Sequence, residues 1–177
     1  MHKKKFGKMT VSAWIESELE HTSCMISVLF GTLFTVCAIV VRVWTGSPYR
    51  SILELNIGEI TPPVWLMTLI WTLTFFINGC AAGIVFAYKP KHRDAEKYKG
   101  CLYFILLVIF EFLWYPTLFG NQWVFLSVLE AILILCLSVA TTLVFYRVTK
   151  LSGMLLLLHD IWLVYMLILN FAVLIGA

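Results

Sequence analysis

The chain has 177 residues, of which 61% are hydrophobic and only 13% charged, and its mean hydropathy is +0.91. A soluble domain is about half apolar and about a quarter charged, so this composition excludes an ordinary water-soluble fold and describes an integral membrane protein. The net charge of +3 is small, and the basic residues flank apolar runs instead of forming a basic face, which excludes nucleic acid as a partner.

Met1–Lys8 carries Lys3, Lys4, Lys5 and Lys8 and resembles the basic start of a secretory signal. The first long apolar run begins only near Cys24 and is too long for a signal's apolar segment, so no cleavage is expected. Val11, Trp14, Ile15 and Leu19 share one helical face, which fits a short amphipathic helix lying in the interface; a polar lead-in turn fits equally well. The first span is expected at about 23–44, with Arg42 placed to snorkel near its end. Thr45–Thr61 is polar and long for a connection, long enough to fold over the bundle as a lid.

The second span, about 63–88, opens on Pro62-Pro63, residues without a backbone N–H that are tolerated at a helix start. Inside it Asn78, Gly79 and Gly83 form a small-residue patch suited to close helix contact. Lys89–Lys99 reads as a charged turn. The third span, about 100–119, is expected to break near Pro116, and Gly120-Asn121-Gln122 to form a tight hairpin. The fourth and fifth spans follow at about 123–146 and 151–175, joined by the basic turn Arg147–Lys150. The expected fold is therefore all-α, one five-helix transmembrane bundle. The five cysteines lie in or beside these runs without a CxxC pair or a Cys/His cluster, so neither a metal site nor a disulfide framework is expected.

Five spans place eleven of the thirteen basic residues on the side of the N-terminus and leave only Arg42 and Arg50 on the other. The positive-inside rule then puts the N-terminus inside and the C-terminus outside. The N-terminal lysines fit a bacterial inner membrane; a eukaryotic organelle membrane stays open.

A rise of about 1.5 Å per residue converts position into depth. Trp71, Trp114 and Trp162 then lie roughly 10–14 Å below the outer face, too deep for an interfacial belt, whereas Trp44, Trp65 and Trp123 sit at span ends. Core packing and a ligand pocket remain as readings of the deep three. Glu111 falls near the midplane, Glu130 in the outer half, and His159 and Asp160 in the inner half. Ionisable groups at such depths face the bundle interior or serve a function. Neighbouring helix positions point about 100° apart, so His159 and Asp160 are not expected to pair with each other. Glu111 has two readings: a protonated donor to a neighbouring helix, or a counter-ion for a cationic ligand.

Pro62-Pro63-Val64-Trp65, Trp71 and Asn78-Gly79-Cys80-Ala81 resemble the second helix of the tryptophan-rich sensory protein/translocator protein (TspO/MBR) family. Phe112 to Phe119 is similar to its third-helix Asn-x-x-Trp-x-Pro-x-x-Phe motif, and Trp162 with Leu169-Asn170 to its last-helix ending. The resemblance runs from about Thr45 to Ala177. It implies a five-helix bundle, often a homodimer, with a cavity for tetrapyrroles such as protoporphyrin IX or haem and for other flat apolar ligands. On this resemblance the ligand-binding candidates are Pro62, Pro63, Trp71, Trp114 and Trp162, to which Glu111, Asn78 and Asn170 are added by position; no cofactor is required. The chain departs from the family's pattern at Glu111, where the family has Asn, and at His159-Asp160, where it has Pro-Tyr. Thr72 replaces a Pro and Ile60 a Trp. The end of the fifth span lacks the Tyr and basic residue of the family's sterol site, and Leu143, Tyr146 and Lys150 fit only the loose sterol pattern.

The function expected is a membrane receptor, sensor or carrier for such ligands. The alternatives are a membrane enzyme using Glu111, Glu130 or His159, which lacks a nucleophile–base–orienter set, and a structural subunit of a larger membrane complex. The span count makes a direct prediction. Single cysteines replacing Lys91 and Asn121 should react with an impermeant thiol reagent from opposite sides of the membrane; reaction from one side would overturn the five-span topology.

Overall fold

The computed structural model describes residues 24–45, 62–88 and 94–176. Five helices hold nearly all of them: α1 (Cys24–Thr45), α2 (Val64–Ala87), α3 (Asp94–Tyr115), α4 (Val124–Val148) and α5 (Lys150–Gly176). All five are long and apolar enough to cross a bilayer, as the composition requires. The interfacial helix expected around residues 11–19 and the lid expected over 46–61 lie outside the described residues.

Helix ends follow local chemistry. The Pro63 carbonyl accepts the N–H groups of Leu66 and Met67 at 2.8 and 3.1 Å, so α2 begins where the paired prolines predict. The α3 helix starts at Asp94, earlier than the expected 100. Ala95, Glu96 and Lys97 are good helix formers, and Lys97 has a task at this end. Its Nζ donates to the Phe86 and Tyr88 carbonyls, both at 2.8 Å, satisfying acceptors that the end of α2 leaves open. Pro116 does not break the third span. It opens a π-helical turn, Pro116–Gly120, in which Asn121 N–H donates to the Pro116 carbonyl at 2.9 Å. The hairpin closes with Gln122 in the left-handed region at φ 56°.

The helices pack as a ring of four with one outlier. α2 packs on α5, α5 on α4 and α4 on α3, while α3 returns to α2 through a lighter seam. α1 packs chiefly against α2 and also touches α3, where the Phe34 and Phe104 rings meet edge-on at 5.2 Å. The α1–α2 joint uses the small-residue patch. A Cβ added at Gly79 would lie 2.6 Å from the Phe30 carbonyl oxygen, and one at Gly83 would lie 2.6 Å from Ser27 Cα. Such contact leaves room only for glycine and brings backbones close enough for Ser27 Oγ to donate to the Cys80 carbonyl at 2.8 Å. On the other side of α2, Ser152 Oγ donates to the Ala81 carbonyl at 2.7 Å and fastens the start of α5.

Polarity runs opposite to that of a soluble protein. Leu29, Leu33, Val40, Leu69, Leu102 and Ile161 point outward, while Asn78, Glu111, Ser127, Ser138, His159, Asp160 and Asn170 are buried. So continuous an apolar exterior is stable only against lipid. Trp44, Trp65 and Trp123, exposed by 81, 67 and 59%, all sit at one end of the bundle, where a belt belongs.

Gly83→Val forces branched carbons onto the Ser27 backbone. Overpacking of this kind costs about 1–3 kcal/mol, so the melting temperature in mild detergent should fall. An unchanged melting temperature would show that α1 is not held by this contact.

Candidate functional site

One face of each helix in the ring of four looks into the bundle. Trp71 and Phe75 on α2, Glu111 and Trp114 on α3, Ala131 and Ile134 on α4, and His159, Leu163 and Met166 on α5 enclose a small central cavity. The spacings are three, four or seven residues, the repeat that keeps side chains on one helical face. Three aromatic rings form most of its wall. The Trp71 ring stacks on Tyr115 with centroids 4.5 Å apart, and meets Trp114 and Phe75 edge-on at 6.3 and 5.5 Å.

The polar pole of the cavity is a contact between helices whose backbones pack at most lightly on each other. His159 Nε2 on α5 lies 2.5 Å from Glu111 Oε1 on α3, and both side chains are buried. One proton joins the two atoms, carried by the ring nitrogen or by the carboxyl. Glu111 Oε2 and His159 Nδ1 have no hydrogen-bond partner among the described residues.

A second bridge crosses nearby. Trp114 Nε1–H donates to Asn170 Oδ1 at 3.3 Å, and Ser127 Oγ donates to the same oxygen at 3.0 Å. Asn170 Nδ2 donates in turn to the Met166 carbonyl at 2.7 Å, which fixes the amide. Asn170 therefore sets the angle of the Trp114 ring and ties α3, α4 and α5 together.

The structure gathers some of the sequence candidates and separates others. Trp71, Glu111 and Trp114 share the cavity, and His159 joins them. Trp162 is buried on α5 but lies outside the lining, with its ring 5.2 Å from Tyr165. Asn78 follows Trp71 and Phe75 along α2 and is buried beyond the lining, its side-chain polar atoms without hydrogen-bond partners among the described residues. Pro62 and Pro63 stay at the head of α2. Glu130 faces the π turn, where Thr117 Oγ1 donates to its Oε1 at 3.4 Å. Asp160 accepts a hydrogen bond from Ser138 on α4 and turns away from His159, as the 100° step requires. Phe75, Leu163 and Met166 were not singled out in the sequence; their spacing from Trp71 and His159 is the signal that marks them.

The central cavity holds about 20 Å³, room for about one water molecule, whereas small-molecule pockets span about 300–1,000 Å³. A groove of about 290 Å³ lies beside it, between α1 and α2, and Trp71 and Phe75 line both spaces. The two rings thus stand between the small interior space and the wider groove.

The profile of the TspO/MBR family matches residues 24–175. The chain belongs to the TspO/MBR family. The match takes in α1, which the motifs of the later helices do not reach. The tryptophan-rich protein TspO of Chlorobaculum tepidum is 28% identical over 113 residues, covering 64% of this chain and 70% of the relative. No solved structure matches. For this TspO/MBR protein, the departures at Glu111 and at His159 are one feature, since the two side chains meet.

That coupling is measurable. Glu111→Ala and His159→Ala should each destabilise the bundle, and the double variant should deviate from additivity by about 0.5–3 kcal/mol in a detergent unfolding cycle. Glu111→Gln retains an acceptor and a donor for His159 and should unfold closer to the parent. Strict additivity would mean that the two side chains do not interact.

Proposed function

We propose that the chain is a membrane receptor or carrier that binds flat hydrophobic molecules of the tetrapyrrole type, such as protoporphyrin IX or haem, within the ring of four helices. The observation that carries this reading is the enclosure of Trp71, Phe75 and Trp114 around one buried polar pole, Glu111–His159. Aromatic walls supply contact area to a flat ligand, and a single polar pair orients it. Membership of the TspO/MBR family supports the same class of ligand.

Binding requires the partition to move. The α2–α3 seam rests largely on the ring contacts of Trp71 with Trp114 and Tyr115. Rotation of Trp71 off Tyr115 joins the central cavity to the groove without parting any closely packed backbones. In this reading the N-terminus lies inside and the C-terminus outside, so the groove opens in the outer half of the bilayer. The protein needs no cofactor for this role, and two copies pair as a homodimer in the membrane.

Titration of the purified protein with protoporphyrin IX, followed by tryptophan quenching and the porphyrin absorbance band, tests the reading. Trp71→Ala should weaken binding about tenfold or more, the effect of removing an aromatic anchor. Trp162→Ala, outside the lining, should weaken it less. Equal affinities for the parent and Trp71→Ala would rule out this site.

A further inference from the structure

The groove between α1 and α2 has one charged residue in its lining, Arg42, on walls that are otherwise apolar or carry threonine hydroxyls. Arg42 sits in the last turn of α1, where a cation interacts favourably with the helix terminus. That role does not account for its direction. The guanidinium reaches across to α2, where Nη2 donates to Thr68 Oγ1 at 2.7 Å, and so holds its fork over the groove beside Trp71. A guanidinium carries five N–H donors in a plane that matches a carboxylate. Among the described residues, no Asp or Glu lines the groove. Thr35 and Thr72 donate their hydroxyl protons to backbone carbonyls one turn earlier, at 2.9 and 2.8 Å, which leaves Arg42 as the anion-directed donor there.

A second donor stands behind the partition. Tyr115 stacks on Trp71 with ring centroids 4.5 Å apart. Its hydroxyl is buried without a hydrogen-bond partner among the described residues. Arg42 thus shares the groove wall with Trp71, and Tyr115 stacks on the same ring.

We propose that Arg42 is the anion-recognising pole of the ligand site, so that the protein selects flat apolar molecules that carry a carboxylate, seated with the ring system against Trp71 and the carboxylate on the Arg42 fork. This rests on the function proposed above and adds the chemical class that the site prefers. The selection comes from position: a carboxylate taken into an apolar groove loses its hydration and recovers it only from a charged donor, and the groove offers that donor at one point.

Protoporphyrin IX and its dimethyl ester present the same ring with and without carboxylates. In nanodiscs of neutral phosphatidylcholine, tryptophan quenching should show the parent protein binding the acid about tenfold or more tighter than the ester. Arg42→Gln should bring that ratio close to one, and binding of the ester reports that the site is still folded. Arg42→Lys keeps a point charge without the fork and should retain part of the preference. An acid-to-ester ratio unchanged in Arg42→Gln, or a parent protein that binds both equally, overturns the assignment of Arg42 while leaving the proposed function standing. A parent that binds neither porphyrin removes the proposed function and this inference with it. In nanodiscs containing phosphatidylglycerol, loss of the acid preference in the parent would show that a lipid phosphate takes the Arg42 fork, and would overturn selection by carboxylate.

Discussion

The contact between Glu111 and His159 governs the middle of this bundle. A lone ionisable group at that depth is costly, because lipid offers it neither water nor a counter-charge. Two such groups from α3 and α5 meet, and one proton serves both. Breaking a buried pair by removing one partner costs about 3–5 kcal/mol in soluble proteins, more than the pair itself contributes, because the remaining group stays buried and unmatched. The pair is thus better understood as a constraint than as a source of stability. It fixes the distance between two helices whose backbones pack at most lightly on each other, and the Trp114–Asn170 hydrogen bond repeats that constraint on the same two helices. Aromatic side chains fill the space these bridges span.

Cohesion elsewhere in the molecule is of a different kind. α1 and α2 are held by glycine contacts that leave no freedom to slide, and α5 is stitched to α2 by a serine–carbonyl hydrogen bond. The α2–α3 seam depends on stacked and edge-on rings. Ring contacts are worth about 0.5–1.5 kcal/mol each beyond the area they bury, and a ring can turn about its own side-chain bonds while its backbone stays in place. α2 thus meets α1 through close backbone contact and α3 through side-chain rings, with Trp71 at the boundary.

Much of the architecture was legible in the sequence because lipid imposes a simple rule. A span must be apolar over its length, and lysine and arginine collect on one side, so counting sufficed for five helices. The start of α3 was not legible: the run from Asp94 to Lys99 looks like a charged turn until Lys97 is seen closing the end of α2. Helix rotation was the other blind point. Depth along an axis follows from residue number and groups Trp71, Trp114, Trp162, Glu111 and Glu130, of which Trp71, Trp114 and Glu111 line the cavity. Rotation about the axis depends on neighbouring helices, and a single position decides it. Leu163 lines the cavity whereas Trp162 does not. Asn170, a ligand-binding candidate by position, accepts hydrogen bonds from Trp114 and Ser127, a role visible only once its two donors are known.

The pairing of Glu111 with His159 also changes what charge the site can read. As an isolated carboxylate, Glu111 would attract a cationic ligand. Its nearest oxygen already shares a hydrogen bond with an imidazole from the opposite helix, and a Glu111–His159 pair that holds two protons in all presents a dipole rather than a free charge. Dipoles orient a ligand but discriminate weakly by its net charge, since their field falls off faster than that of an ion. Arg42 differs in kind: a guanidinium at the rim of the groove, it donates to the neutral hydroxyl of Thr68 and meets no carboxylate among the described residues. The energetic asymmetry of the site therefore runs from a positive rim to an internally matched interior. Charge at the rim and hydrogen bonding in the interior are thus carried by different groups, Arg42 at the end of α1 and the Glu111–His159 pair between α3 and α5.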